Sequence, residues 1–245
     1  MNWKKRCPRW VQRRLDTSRW LADRFTERVA KEVPPRGAHP RRRGGRVPLP
    51  AALRACGVRR PGLGPGLRKV GLTQLDRLGS LLRLPFRDGS FGAVLSLNVL
   101  EHVTEPRAAM QEMARVLEPG GTLHLMAPQS VRVHYAPYDF YRFTEYGLRY
   151  LAEQAGLDVE EVAAEGGYWL LLGHQLSRAT GYLFSNWQPF WLKVLFWPLE
   201  GLMKISVSVL FPPLALALDR LDRKRTHTLG HALRARKPET TAGAR

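Results

Sequence analysis

A chain of 245 residues with 44% hydrophobic residues holds enough apolar material for one α/β domain with added segments, which excludes wholesale disorder. Its net charge of +18 leaves two classes of large partner open, a polyanion such as nucleic acid or an anionic membrane surface. Cys7 and Cys56 form no redox or ligand spacing, so neither a disulfide framework nor a bound metal is expected, and a reducing compartment is the default. The basic N-terminus has no apolar signal-peptide core, so the expectation is a cytoplasmic protein, with the inner face of the membrane as the place where it could be peripheral.

Residues 1–35 read as a basic amphipathic helical segment. Asp16-Thr17-Ser18 offers a helix start, and Trp20, Leu21, Phe25 and Val29 recur at helical spacing before Pro34-Pro35 stops the run. Such a helix either covers an edge of the domain or rests on anionic lipid with its tryptophans at the interface. Residues 36–72 show no periodicity. Between Arg36 and Gly66 stand eight arginines and no acid, so the stretch reads as an irregular loop.

The character changes over residues 73–167. Arg87-Asp88-Gly89-Ser90 is a turn, and Ala93 to Leu97 is a short apolar strand. Pro106 opens a helix through Ala109, Met110, Met113, Val116 and Leu117, and Glu118-Pro119-Gly120-Gly121 ends it. Thr122 to Ala127 is the next strand. A further helix starts at Phe143-Thr144-Glu145 and closes at Gly156, followed by a strand from Leu157 to Ala163. This alternation with short connections predicts a doubly wound, mostly parallel sheet.

Residues 168–225 form an apolar segment rich in Leu, Phe and Trp and broken by Pro189, Pro198, Pro212 and Pro213. Its charge-free run Ile205 to Leu218 falls short of the roughly 20 residues that span a bilayer. Residues 226–237 read as a last, edge strand and 238–245 as a frayed tail.

The string LPFRDGSFGAVLSLNVLEHVTEPRAAMQEMARVLEPGGTLHLMAP, from Leu84 to Pro128, carries several elements in order. They are Leu-Pro-Phe, Asp-Gly-Ser-Phe, an apolar strand, Leu-Glu-His, and Arg-Val-Leu-x-Pro-Gly-Gly before a strand. The string resembles the second half of the class I S-adenosylmethionine (SAM) dependent methyltransferases, of the kind that act on quinones, lipids and small molecules. The resemblance implies an α/β, Rossmann-like methyltransferase sheet, here with its first strands disrupted and a helical apolar insert before the last strand. It also implies SAM as cofactor and transfer of its methyl group to an O, N or C nucleophile.

Open parallel sheets bind ligands at the carboxyl ends of their strands, which singles out Asn98, Val99 and Leu100 as lining the methyl-donor site. In the resembled family an acidic residue before Leu-Pro-Phe binds the adenine amino group. Ser80, a weaker acceptor, stands there in this chain, and Ser80 with Leu81 is assigned to the adenine edge. Gly92 replaces the Asp usual in the family. Glu101 reads as structural, and His102 as either catalytic or a cap of the next helix. The segment Gln129 to Thr144 should overhang the donor site, and His134 and Asp139 are the candidate catalytic pair, able to take a proton from an acceptor hydroxyl. The other reading is a lid packed by its own tyrosines, with Asp139 holding Arg142.

The family's front half is missing from residues 36–72, which supply no strand, no Gly-x-Gly turn and no acid about twenty residues later for the ribose. In the frame one base further on, synonymous codons for Gly37 to Gly66 permit the peptide ARTLDAGAGECRYRPLFAHAEYVGLDLAR. That peptide restores both the glycine turn and a following acid. A frameshift is therefore expected to begin near Arg36 and to be undone between about Gly66 and Leu72.

Three functions follow as expectations. The first is a methyltransferase acting on a small-molecule, lipid-borne or quinone-like acceptor, impaired as written. The second is an inactive, membrane-associated relative. The third, a nucleic-acid binder, is least favoured because no recognition motif accompanies the charge.

Overall fold

A computed structural model of the chain describes residues 17–33, 79–185, 211–239 and a few positions between 198 and 207. The expected irregular and frameshifted segment 36–72 lies outside the described residues, as do residues 1–16, Pro34-Pro35 and most of 186–210. The chain forms two compact units, each built from stretches distant in sequence.

The larger unit, Phe25–Ala163 with His231–Arg245, holds a mixed sheet of four strands. Strand β1 (Phe91–Leu97) buries Ala93, Val94, Leu95 and Ser96 in succession, the pattern of a strand covered on both faces. Helix α2 (Pro106–Val116) then crosses over, with proline in its first turn and Ala109, Met110 and Met113 fully buried. Strand β2 (Leu117–Pro128) follows at once and runs parallel to β1, in register from Ala93↔Thr122 to Leu97↔Met126. Side chains from Val94, Leu100, Met110, Leu123, Leu125 and Leu148 share one core.

The Glu118–Gly121 stretch, expected as a helix-ending turn, is instead the irregular start of β2. The chain there loops out between Phe91↔Leu117 and Ala93↔Thr122. Gly121 must be small: a Cβ on it would stand 2.8 Å from the Glu118 carbonyl oxygen and 3.2 Å from that of Gly92. Arg115 ties the preceding segment to α2. It donates to Glu112 at 2.8 and 2.9 Å, to Asp88 at 2.6 Å, and to the carbonyls of Phe86 and Leu84 at 2.9 and 3.2 Å.

Helix α3 (Glu145–Gln154) begins at Thr144, whose hydroxyl accepts from the Gly147 amide at 3.2 Å, and ends before Gly156 at φ +76°. Strand β3 (Asp158–Ala164) follows. The last strand, β4 (Gly230–Arg236), is not at the edge as expected, because the strand order is β1-β2-β4-β3. It runs against its neighbours: Lys237, past its end, exchanges bonds with Gly120 and Gly121 at the start of β2. Gly230, at its start, accepts from Glu165 just past β3. The physical reason lies in His231, Ala232, Leu233 and Ala235, buried on alternate faces as an interior strand requires.

In helix α1 (Thr17–Glu32), Phe25 and Val29 are 4% and 1% exposed, so this end of the helix presents its apolar side to protein rather than to solvent. Both border a small hollow with His124, Ala163, Ala232 and Leu233, and Glu32 accepts from Arg234 at 3.2 Å.

The smaller unit, Met1–Arg24 with Ala164–Gly230, includes helix α4 (Tyr168–Ser185) and helix α5 (Phe211–Leu218). Gly173 of α4 faces Phe211 and Ala215 of α5 closely enough that an added Cβ would stand 3.1 Å from the Phe211 ring. Buried Asp219 accepts from the Gly167 amide at 2.9 Å and the Leu170 amide at 3.3 Å, and Asp222 accepts from Tyr168 at 2.8 Å. Two carboxylates thus satisfy the amides that open α4. Among the described residues no helix is long and apolar enough to cross a membrane.

Candidate active site

The site is built where β1 ends. Asn98 takes a left-handed conformation at φ +49°, which its short polar side chain tolerates, and its amide donates to the Met126 carbonyl at 2.8 Å. A single 3-10 turn, Leu100–His102, follows. The turn sends Leu100 into the core, buries Glu101 completely and leaves His102 partly covered.

The loop from Gln129 to Thr144 closes over this turn and is stitched to it. The backbone carbonyl of Glu101 accepts from Phe140 and Tyr141 at 2.9 and 3.3 Å. The Tyr141 hydroxyl donates to the Thr104 carbonyl at 3.0 Å, and His102 Nδ1 lies 2.7 Å from the Tyr138 carbonyl oxygen. Inside the loop, Arg142 donates to both oxygens of Asp139 at 2.7 and 2.8 Å, and to the carbonyls of Val131 and Arg132 at 2.8 and 3.0 Å. The Asp139 carboxylate also accepts from the His134 amide at 2.7 Å. The Arg142 guanidinium holds the Asp139 carboxyl well below the usual carboxylate range.

Three side chains converge beneath the loop. Oε1 of Glu101 is 3.6 Å from His102 Nε2 and 3.7 Å from His134 Nε2, and the two imidazoles stand edge to face with centroids 4.7 Å apart. Neither carboxylate oxygen of Glu101 has a hydrogen-bond partner, and burial pushes its carboxyl up to about 7. His134 Nδ1 lies 3.1 Å from the Arg132 carbonyl oxygen and 3.4 Å from Asp139 Oδ2. A carbonyl only accepts, so each neutral ring carries its hydrogen on Nδ1 and offers Nε2 as acceptor.

The expected residues therefore fall into three groups. His134 and Asp139 lie side by side, His134 partly exposed and Asp139 engaged by Arg142. Asn98 is exposed and Val99 half-buried at the strand's carboxyl end, just before the turn that carries Glu101 and His102. Leu81 and Leu100 are 2% and 0% exposed and belong to the core, while the Ser80 hydroxyl accepts from the Leu82 amide at 3.2 Å. Glu101 and His102, read from sequence as structural and as a cap or catalyst, stand together with His134. An acid followed directly by a histidine at a strand end was the available signal.

The described residues fit the half of a SAM site that the carboxyl end of β1 would supply, with the Asn98 side chain open to a ligand. The glycine turn and ribose acid would fall outside them.

Residues 67–125 match the family model described as methyltransferase domain. The chain is 44% identical over 62 residues to the ubiquinone/menaquinone biosynthesis C-methyltransferase of Chromobacterium violaceum, covering 25% of each chain. It is 42% identical over 62 residues to the demethylmenaquinone methyltransferase of Paenarthrobacter aurescens, covering 24% of each. A solved SAM-dependent methyltransferase from Aquifex aeolicus overlaps 40% of this chain and 53% of its own, at 19% identity and a TM-score of 0.32. The chain spans between 15% and 34% of the length of the curated relatives it matches. Over residues 67–125, then, the chain is similar to a methyltransferase domain.

Proposed function

We propose that the protein is built to transfer a methyl group from SAM to a small-molecule, lipid-borne or quinone-like acceptor, and that its donor loop is overwritten in the sequence as written. The observation that carries the reading is the coincidence of the methyltransferase match at 67–125 with a strand end where Asn98, Glu101, His102 and His134 gather. SAM would supply an electrophilic methyl on its sulfonium. The protein's task is then to place the acceptor nucleophile against it, which is mainly a matter of position. Asn98 would face the donor, and the loop carrying His134 would enclose the acceptor. The two quinone-pathway relatives support an apolar, quinone-like acceptor.

The overwritten-loop reading is supported by where the family match begins. It starts at residue 67, inside the interval in which the frame is expected to be restored. Eight of the 18 net charges lie in the stretch before it, which weakens the case for a nucleic-acid partner. An inactive, membrane-peripheral relative remains the second reading. It is favoured by Leu202, Leu214, Leu216 and Leu221 of the smaller unit, which are 63%, 51%, 41% and 73% exposed.

Titration calorimetry with S-adenosylhomocysteine tests both, on the chain as written and on a chain carrying the alternative reading of 37–66. The expected result is no heat from the first and micromolar binding by the second. Failure of the restored chain to bind would overturn the methyl-donor reading, and tight binding by the chain as written would overturn the overwritten loop.

A further inference from the structure

We infer that Glu101, His102 and His134 form a binding site for a divalent transition-metal ion. The argument starts from what each atom can do. In neutral rings hydrogen-bonded through Nδ1 to backbone carbonyls, both Nε2 atoms are acceptors, and they flank a carboxylate oxygen that is also an acceptor. Acceptors brought together out of water repel unless a proton or a metal cation lies among them, and a metal ion satisfies all three at once. The Glu101 side chain is 0% exposed, with both oxygens lacking any hydrogen bond, which is a costly arrangement for a carboxylate in a protein interior.

The spacing suits an ion. One ligand atom from each of the three residues lies within 4.8 Å of the others, and Glu101 Oε1 stands 3.6 and 3.7 Å from the two Nε2 atoms. Ligand atoms about 2.0–2.2 Å from a tetrahedral zinc stand roughly 3.4 Å apart, so the two Glu101 separations need a few tenths of an ångström of closure and the remaining one, bounded by 4.8 Å, up to about 1.4 Å. The outer shell is also in place. Metal-bound histidines almost always donate their second ring N–H to a carbonyl or carboxylate, and the Tyr138 and Arg132 carbonyls occupy those positions here. Asp139, clamped by Arg142, holds the His134 backbone from behind.

Two imidazoles and one carboxylate select Zn2+, Mn2+ or Fe2+ over the all-oxygen preference of Ca2+ and Mg2+. Three protein ligands leave positions for water or for an oxygen of a bound molecule. The site lies at the carboxyl end of β1, so that molecule would be the acceptor if the methyltransferase reading holds. Ion binding itself does not depend on that reading.

The full chain, stripped with chelator, is titrated calorimetrically with Zn2+ and separately with Mn2+, with bound Mn2+ also followed by its electron paramagnetic resonance. The expected result is one ion per chain. Glu101→Gln and His134→Ala should each weaken it by about 30-fold or more, while His227→Ala, at an exposed position of the smaller unit, leaves it unchanged. His134 is partly exposed, so its variant should fold even if Glu101→Gln does not. No uptake of either ion by the wild type, or uptake unchanged by His134→Ala, overturns the proposal. Because no methyl donor is present, a failure here is distinguishable from failure to bind S-adenosylhomocysteine.

Discussion

Arg142 grips Asp139 with two nitrogens at 2.7 and 2.8 Å, and the carboxylate it grips is 1% exposed while also holding the His134 amide. The pair acts as a brace inside the 129–144 loop, since Arg142 reaches two further carbonyls in the same loop. Asp139 kept ionised by this clamp is a weak base, and its work in this geometry is to position His134. Removing one partner leaves a buried charge uncompensated. Arg142→Ala and Asp139→Ala should each lower stability by about 2–4 kcal/mol, and the double variant should lose less than their sum. Urea unfolding of all four proteins measures this coupling. Additive losses would mean that the pair is not the brace.

Arg115 joins the Leu-Pro-Phe and Asp-Gly-Ser parts of the chain to α2 through a planar fork that lysine cannot reproduce. Arg115→Lys is expected to cost about 1–2 kcal/mol, close to the cost of Arg115→Met, because the geometry rather than the charge is what is lost. Thermal unfolding of the two variants decides it. A lysine variant as stable as the wild type would show that charge alone suffices.

Much of this architecture is legible in residue types. Pro106 at the start of α2, Thr144 capping α3 and Gly156 in a left-handed conformation all sit where their chemistry places them. The apolar run at Ala93–Leu97 marks β1. The interior position of β4 was less visible. His231 and Arg234 make the run look half-polar, although alternate residues pack on both faces. At the site, the strand-end rule finds Asn98 to Leu100 but cannot separate a residue lining a ligand from one entering the core, and Leu100 enters the core. The meeting of Glu101 with His134 has no periodic signature. It depends on backbone bonds from Phe140 and Tyr141 to Glu101, which any loop sequence of similar length could make or miss.

His124 and His231 give the larger unit a dependence on pH. Burial holds both imidazoles below their ordinary value, outweighing the acids near them, Glu32 and Glu160 for His124 and Glu145 for His231. At these two sites the unfolded chain therefore binds more protons than the folded one as pH falls through the ordinary histidine range near 6.5, so their share of the stability is full above that range and declines below it, while Glu101, its carboxyl pushed up to about 7, contributes in the opposite sense. Each histidine contributes a slope of at most about 1.4 kcal/mol per pH unit. Between pH 7.5 and 5.5 the wild type should lose more, or gain less, urea midpoint than the double variant His124→Gln with His231→Gln. An equal change in the two would place the proton uptake elsewhere.

In the smaller unit, Gly167 lies against the two carboxylates that open α4. A Cβ on it would stand 2.6 Å from Asp222 Oδ2 and 2.8 Å from Asp219 Oδ1, so the carboxylates must move and release the Gly167, Tyr168 and Leu170 amides. Those amides belong to the first turn of a helix, where no intrahelical carbonyl can replace the lost acceptors. Gly167→Ala and Asp219→Ala are each expected to cost about 1–3 kcal/mol. Both should speed hydrogen exchange at Tyr168 to Gly173 more than at β1 and β2, because these carboxylates accept from amides at the start of α4. Exchange that rises equally at Val94 and Leu125 would mean that the two units unfold as one.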